Sequence, residues 1–282
     1  MLRNEIQSKT GLTRKAIEYY EEKGLVSPKK AENGYRDYSD KDLEILTEIS
    51  LFRKIGMNIA EIERYLFSER NSLSSVLRRK QHQLGIEEKR KAVLELMMKE
   101  ENQEIINEKI ELIEAEESIY ERLEKSFPGY FGQMMFAAYQ PFLNEPLDKD
   151  GKEAYEKFVN YLDNLPIFEL SKDEQNYIDD VSSTFDMLML KKVNEDKINA
   201  VENVEEWIKE NYNNISQYEA YKNSAEYQDS LMKQIQDKLQ KFMQDNKYYE
   251  IAIPLIRKFS KSYNEYYEKL LKANDIYLDI NN

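Results

Sequence analysis

A helix-forming segment that stops at a glycine and is followed by a basic hairpin signal constrains the start of this chain more than any other feature. Residues 13–25 read TRKAIEYYEEKGL, and residues 33–39 read NGYRDYS. Thr13 is a residue type that caps helix N-termini, and Gly24 suits the left-handed backbone that follows a last helical turn. The pattern therefore predicts a short helix that begins at Arg14 and ends at Gly24, after a shorter helix upstream.

This helix has one apolar and one polar face. Ala16, Ile17 and Tyr20 recur at three- and four-residue steps, which predicts that they are buried. The opposite face is a candidate for reading a DNA groove, and it carries Arg14, Lys15, Glu18 and Tyr19.

The hairpin signal lies in the pair Asn33-Gly34, which supplies the positive backbone angles of a two-residue turn. Residues 26–30 and 35–38 are therefore expected to pair as a small wing. Three basic side chains gather around its tip: Lys29, Lys30 and Arg36.

Two further helices are predicted after the wing. Ser39 to Asp42 and Asn58 to Glu61 both have the spacing of a capping box, and Gly56 separates the two segments. Two short helices, a hairpin and two more helices are the parts of a winged helix-turn-helix, which points to DNA as the partner.

Residues 2–68 resemble the DNA-binding domain of MerR-family bacterial transcription regulators, through the order of these motifs and their Tyr-Tyr-Glu and Asn-Gly-Tyr-Arg runs. The resemblance implies a winged helix-turn-helix with two wings, followed by a long helix that dimerises as an antiparallel coiled coil. It also implies a homodimer on two-fold symmetric, double-stranded promoter DNA. Such regulators bend and untwist the promoter so that RNA polymerase can engage both promoter elements. They therefore act on the polymerase indirectly, through the DNA.

The resemblance also implies DNA contacts by position. One residue departs from the family pattern, because Glu18 stands where the family usually has arginine, and a carboxylate cannot hold a phosphate. Glu18 could instead accept from a cytosine amino group, which would change the operator sequence. The implied contact set is Arg14, Lys15, Glu18, Tyr19, Tyr35, Arg36 and Arg53.

Charge is divided unevenly along the chain. Residues 1–80 carry 16 basic and 13 acidic side chains, a net of +3, whereas the other 202 residues carry a net of −16. Because salt screens distant charge within about 8 to 10 Å, the acidic part does not prevent a local basic surface from binding DNA.

The residue types present limit the chemistry. The chain has no cysteine and one histidine, His82, so thiolate metal sensing, cysteine redox sensing and histidine-ligated zinc or di-iron sites are not expected. His82 follows Arg78-Arg79-Lys80-Gln81 and is expected to be solvated.

We expect no enzyme activity, no cofactor and no metal, because no nucleophile–base pair or phosphate loop is apparent. The chain lacks a long apolar run or a leader, which predicts a cytoplasmic protein with no membrane partner.

A nearly continuous run of helix formers spans residues 72–125. Fifty-four helical residues would extend about 80 Å, more than the roughly 34 to 36 Å between half-sites one DNA turn apart, so we expect the dimerisation helix to end between Met98 and Glu104. This predicts a DNA-binding domain at 1–70, a coiled-coil helix at 71–104 and a further domain at 105–282. The apolar residues assigned to the seam are Leu73, Val76, Leu77, Leu84, Val93, Leu94, Met97, Met98, Ile105, Ile106, Ile110 and Ile113.

The third segment shows no alternating strand pattern, so the fold class is mainly α with an all-helical C-terminal domain. Sixteen of the 21 tyrosines and nine of the 11 phenylalanines follow residue 80, among acids that include Asp179, Asp180, Glu202, Glu205 and Glu206. Aromatic rings with carboxylates would suit a small lipophilic or cationic effector, although ordinary core and surface explain the same composition. The candidate lining residues are Tyr130, Phe131, Met134, Met135, Tyr139 and Phe142.

Two functions remain open. One is a dimeric, sequence-specific regulator that responds to an effector. The other is a helical scaffold whose winged domain binds protein and no longer reads DNA, an alternative that Glu18 and the overall acidity keep open.

Overall fold

The computed structural model describes residues 1–31, 34–67 and 72–281. It consists of two compact units, residues 1–71 and residues 72–282. The chain is mainly helical with one antiparallel hairpin near its start, which confirms the predicted fold class. The first unit contains α1 (Arg3–Thr10), α2 (Arg14–Glu22), β1 (Lys29–Lys30), β2 (Arg36–Asp37), α3 (Asp40–Lys54) and α4 (Ile59–Phe67).

Helix α2 begins as predicted. The Thr13 side chain accepts a hydrogen bond from the backbone N–H of Ala16 at 3.2 Å, and Gly24 has φ +74° beyond the C-terminal turn. Ile17 and Tyr20 are buried, which confirms the apolar face.

The paired part of the hairpin is shorter than predicted. Lys30 lies opposite Arg36, and the backbone N–H of Ala31 donates to the carbonyl oxygen of Tyr35 at 2.9 Å. The predicted two-residue turn at Asn33-Gly34 is described only at Gly34 and stays a prediction. Gly34 has φ +83°, the left-handed backbone that the turn prediction expects of this glycine. Asn33 lies outside the described residues.

Both predicted capping boxes form. Ser39 and Asp42 bond reciprocally at the start of α3, as do Asn58 and Glu61 at the start of α4. The helices and hairpin enclose a core of Ile6, Ile17, Tyr20, Leu25, Val26, Tyr38, Leu46, Ile49, Phe52, Met57 and Ile62.

The second unit opens with a helical hairpin. Helix α5 (Leu73–Met98) runs through Gly85 and ends inside the interval that the sequence marks, and α6 (Gln103–Ser126) packs against it. Four apolar residues form the core between them: Ile86, Val93, Ile106 and Ile113. Three residues assigned to the partner-facing seam, Val93, Ile106 and Ile113, are therefore covered within one chain, and dimerisation through α5 stays a prediction.

The helices that follow α6 pack against it and against one another, and they enclose a large aromatic core. Phe127, Phe136 and Phe158 are fully buried in it. Two helical irregularities occur, a 3-10 turn at Gln140–Phe142 and a π-helical turn at Tyr248–Ala252. The elements are α7 (Tyr130–Tyr139), α8 (Lys149–Asn164), α9 (Lys172–Val181), α10 (Met187–Glu202), α11 (Val204–Lys222), α12 (Ala225–Gln228), α13 (Leu231–Asp245), α14 (Ile253–Phe259) and α15 (Lys261–Asn281).

Helix α5 also buries polar side chains, which corrects the expectation that His82 is solvated. His82 is 7% exposed, and its ring stacks on Tyr120 of α6 with centres 3.8 Å apart. Arg78, one turn earlier, is fully buried; its Nε donates to Gln133 at 2.5 Å, and its Nη1 donates to the carbonyl of Phe185 at 2.7 Å. These partners lie far along the chain, so α5 is tied to the bundle by polar contacts as well as by packing.

Candidate nucleic-acid interface and aromatic cavity

The polar face of α2 is accessible. Arg14, Lys15 and Tyr19 are exposed, while Tyr20 is buried beneath them. The ammonium of Lys23 lies 5.7 Å from the centre of the Tyr19 ring, a distance typical of a cation–π contact. This face therefore presents basic and aromatic side chains together on one helix.

Glu18 lies between two guanidinium groups on the same surface. Its Oε1 accepts hydrogen bonds from Nη1 of Arg3 at 2.7 Å and from Nε of Arg14 at 2.9 Å. The hydrogen bond from Arg14, together with the charges of both arginines, lowers the pKa of Glu18. The carboxylate is thus charged at neutral pH and positions two arginines, one of which the sequence does not suggest.

Glu21, on the next turn of α2, joins the helix to the hairpin. Its carboxylate accepts from Nη2 of Arg3 at 3.2 Å, from Nε of Arg36 at 2.9 Å and from the hydroxyl of Tyr38. One acidic side chain therefore holds α1, α2 and the wing in a fixed arrangement. The acidic run of α2 offers a sequence signal for this role, but the identity of the partners depends on the fold.

The predicted wing contacts lie on the surface of the first unit. Tyr35 is exposed, and Arg36 is partly exposed while it pairs with Glu21. Lys29 and Lys30 of β1 are exposed as well. The remaining predicted contact is Arg53 in the last turn of α3, which donates from Nη1 to the carbonyl of Met57 at 2.7 Å.

Four of the six predicted ligand residues line a single cavity of about 270 Å³ in the second unit. The other two do not: Phe131 packs in the core with its ring 5.7 Å from that of Phe168, and Tyr130 lies 5.3 Å from the guanidinium of Arg78. The lining residues from α7 and the 3-10 turn are Met134, Met135, Ala138, Tyr139 and Phe142, and those from α10 and α15 are Asn194, Lys197, Ile198, Tyr263, Tyr266 and Leu270.

The acids expected near these aromatics lie elsewhere. Asp179 and Asp180 line a separate pocket with serines, and Glu202 pairs with Lys269 at 2.5 Å. Among the described residues that line the aromatic cavity, none is acidic. The expected combination of rings and carboxylates is therefore wrong for this cavity, because sequence composition does not reveal which helix faces meet.

Helix α5 carries a second, outward apolar face. Its members follow steps of four, seven and ten residues and are all at least half exposed: Leu73, Leu77, Leu84, Leu94 and Met98. A second pocket of about 390 Å³ lies between α5 and α6, lined by Val93, Leu96, Ile113 and other residues. The α5–α6 hairpin thus leaves apolar surface uncovered within one chain.

Within residues 1–31, 34–67 and 72–281, no group of three or more histidine or carboxylate side chains is placed to hold a metal ion. No helix in the described part of the chain is both long enough and apolar enough to cross a membrane.

The first unit is similar in sequence to known proteins. Residues 3–69 match the family model described as MerR HTH family regulatory protein. The chain is 51% identical over 59 residues to the HTH-type transcriptional regulator CueR of Salmonella typhi, an alignment that covers 21% of this chain and 43% of that relative. The chain thus spans less than half the length of the first curated relatives that it matches.

Two other relatives are covered more fully. The CueR regulator of Vibrio cholerae is 32% identical over 106 residues, or 36% of this chain and 76% of that relative. The HTH-type transcriptional regulator YfmP of Bacillus subtilis is 29% identical over 133 residues, or 46% of this chain and 89% of that relative. No solved structure matches the chain.

Proposed function

Because the chain belongs to the MerR HTH family of regulatory proteins, we propose that it is a dimeric, sequence-specific DNA-binding transcription regulator. The observation that carries the proposal is the exposed basic face of α2, which the Glu21 contacts hold in a fixed arrangement with the wing. Arg14, Lys15 and Tyr19 would read base edges, and Tyr35, Arg36 and Arg53 would contact the backbone. In this proposal Glu18 orients Arg3 and Arg14 toward the DNA, in addition to any contact of its own with a base.

The outward face of α5 supports the dimer. Leucines exposed along one side of a helix favour association with a second copy, because pairing removes their apolar surface from water. Helix α5 has 26 residues and so measures about 39 Å, close to the roughly 34 to 36 Å between half-sites one DNA turn apart. We infer an antiparallel coiled coil that sets the spacing of the two DNA-binding units.

The helical second unit would supply the response. In this proposal it senses a small lipophilic effector, and the dimer bends and untwists promoter DNA so that RNA polymerase can engage it. The aromatic cavity supports an effector because it is concave, mostly apolar and bounded by few polar groups.

Fluorescence anisotropy of the full chain on its own upstream duplex tests the proposal. Tight binding that weakens with salt is expected, and Arg36→Ala should weaken binding to all sequences and reduce the salt slope by about 1. Arg122→Ala is the matched control, because Arg122 is another partly exposed arginine that pairs with a carboxylate, Asp163, in the second unit.

The same assay distinguishes the scaffold alternative. A purified protein whose affinity for its upstream duplex does not exceed that for an unrelated duplex at moderate salt would refute the regulator and favour a protein-binding module. Size-exclusion chromatography with light scattering tests the dimer separately, and a monomer at micromolar concentration would refute the coiled-coil proposal.

A further inference from the structure

The aromatic cavity has one wall made of rings in mutual contact. Phe142 lies 5.3 Å from Tyr263 and 5.2 Å from Tyr266, and Tyr139 lies 5.7 Å from Tyr263, measured between ring centres. Burial raises the pKa of Tyr139 well above its ordinary value, and the hydroxyl of Tyr139 bonds to that of Tyr248. The wall is therefore neutral and held by its own contacts, so the cavity does not depend on a ligand to form it.

The opposite wall comes from α10 and supplies the charge. Lys197 is exposed at the cavity, and among the described residues it forms no ion pair or hydrogen bond. Asn194, one turn earlier, is buried and donates to the carbonyl of Leu190 at 2.9 Å, which leaves its side-chain oxygen as an acceptor. The only formal charge contributed by the described lining residues is thus the Lys197 ammonium.

The volume, walls and charge of the cavity indicate which small molecules would fit it. A volume of about 270 Å³ suits a body of one or two rings, and the methionine and aromatic walls favour one that is flat and apolar. A cation would gain from the ring faces but would meet the unpaired lysine without a carboxylate to neutralise it. An anionic group at the mouth would pair with Lys197 while the rings stay buried.

We propose that this cavity binds small aromatic carboxylates, with the ring system against Phe142, Tyr263 and Tyr266 and the carboxylate on Lys197. The inference deepens the effector sensing proposed above, and it names an acid where the amino-acid composition had suggested a cation.

A matched pair of probes tests the charge preference. The full chain is titrated with 1-naphthoate and with 1-naphthylmethylammonium, and binding is followed by probe fluorescence and by thermal unfolding. Saturable binding of the naphthoate with a raised melting temperature, and much weaker binding of the ammonium, are expected. Equal or tighter binding of the ammonium, or no binding of either probe, would overturn the proposal.

Three variants locate the binding. Lys197→Gln should weaken naphthoate about tenfold, since a hydrogen bond to a charged group is lost, whereas Lys192→Gln, an exposed lysine on the same helix, should leave affinity unchanged. Ala138→Leu should fill the cavity and abolish binding while circular dichroism shows an intact helical fold. Unchanged affinity in either Lys197→Gln or Ala138→Leu would place the probe elsewhere and refute the assignment.

The result of the naphthoate experiments can be distinguished from the result of the DNA-binding test. Upstream DNA binding without naphthoate binding would refute the cavity assignment alone. Naphthoate binding that follows the variants, in a protein that does not prefer its upstream duplex, would refute the regulator and leave the cavity assignment standing.

Discussion

Replacing Arg78 by methionine tests whether buried polar contacts tie α5 to the bundle. Arg78 is fully buried, and its guanidinium donates to Gln133 on α7 and to the carbonyls of Ser182 and Phe185 before α10. Methionine keeps most of the aliphatic volume and still lies near the Tyr130 ring, so the substitution removes the polar contacts with little change in packing.

The expected cost follows from the acceptors left behind. Three buried oxygens lose their donor, each worth about 1 to 3 kcal/mol, while the burial penalty of the guanidinium is relieved. No buried charge is left behind, because the acceptors are neutral, so we expect the net cost of Arg78→Met to stay below the sum of the three and to reach about 1 to 3 kcal/mol.

Urea unfolding followed by Trp207 fluorescence measures this cost, because the single tryptophan lies on α11 in the same unit. Arg90→Met is the matched control: Arg90 is on the same helix but half exposed, and its surface ion pairs should be worth less than about 1 kcal/mol. Equal losses in the two variants, or a loss below about 1 kcal/mol for Arg78→Met, would refute the structural role of the buried contacts.

Two further predictions concern Glu18 and His82. Glu18→Gln removes the negative charge between Arg3 and Arg14, so affinity for unrelated duplexes should rise and the salt slope should steepen by about 1; identical slopes in anisotropy titrations would contradict this. Burial lowers the pKa of His82 from 6.5 to about 4, so between these values the unfolded chain binds a proton that the folded chain does not. The free energy of unfolding should therefore fall as the pH drops from 6.5 toward 4, by about 3 kcal/mol at the low end. His82→Phe should lose less over the same range, and parallel losses in urea unfolding would be inconsistent with the burial of a neutral histidine.

Local signals predicted the local structure well. The caps at Thr13, Ser39 and Asn58 depend on bonds that span three residues, so the sequence pattern contains all the groups involved. The hairpin was predicted in the right place but with longer strands, because the length of the pairing also depends on which wing residues meet the rest of the unit.

The buried face of α5 was not predictable in the same way. Arg78, Arg79, Lys80 and Gln81 form a polar run that usually marks a solvated surface, yet Arg78 finds its partners 55 to 107 residues away. The same limit applies to the cavity, where Lys197 and Tyr263 meet the predicted residues of α7 only in the folded bundle. Helical periodicity gives the face on which a residue lies but not which other face will cover it.

The division of α5 into an inner face of buried polar and apolar residues and an outer leucine face has a consequence for how such chains diversify. Residues that contact the bundle and residues that point outward lie on different sides of the helix, so a substitution on one side need not be matched by one on the other. A lineage could then exchange the helices around the cavity for others with different selectivity, provided that the acceptors for Arg78 persist. Recombination in the connection before Leu73 would preserve both sets of contacts, which makes it the natural place to graft one sensor onto another DNA-binding unit.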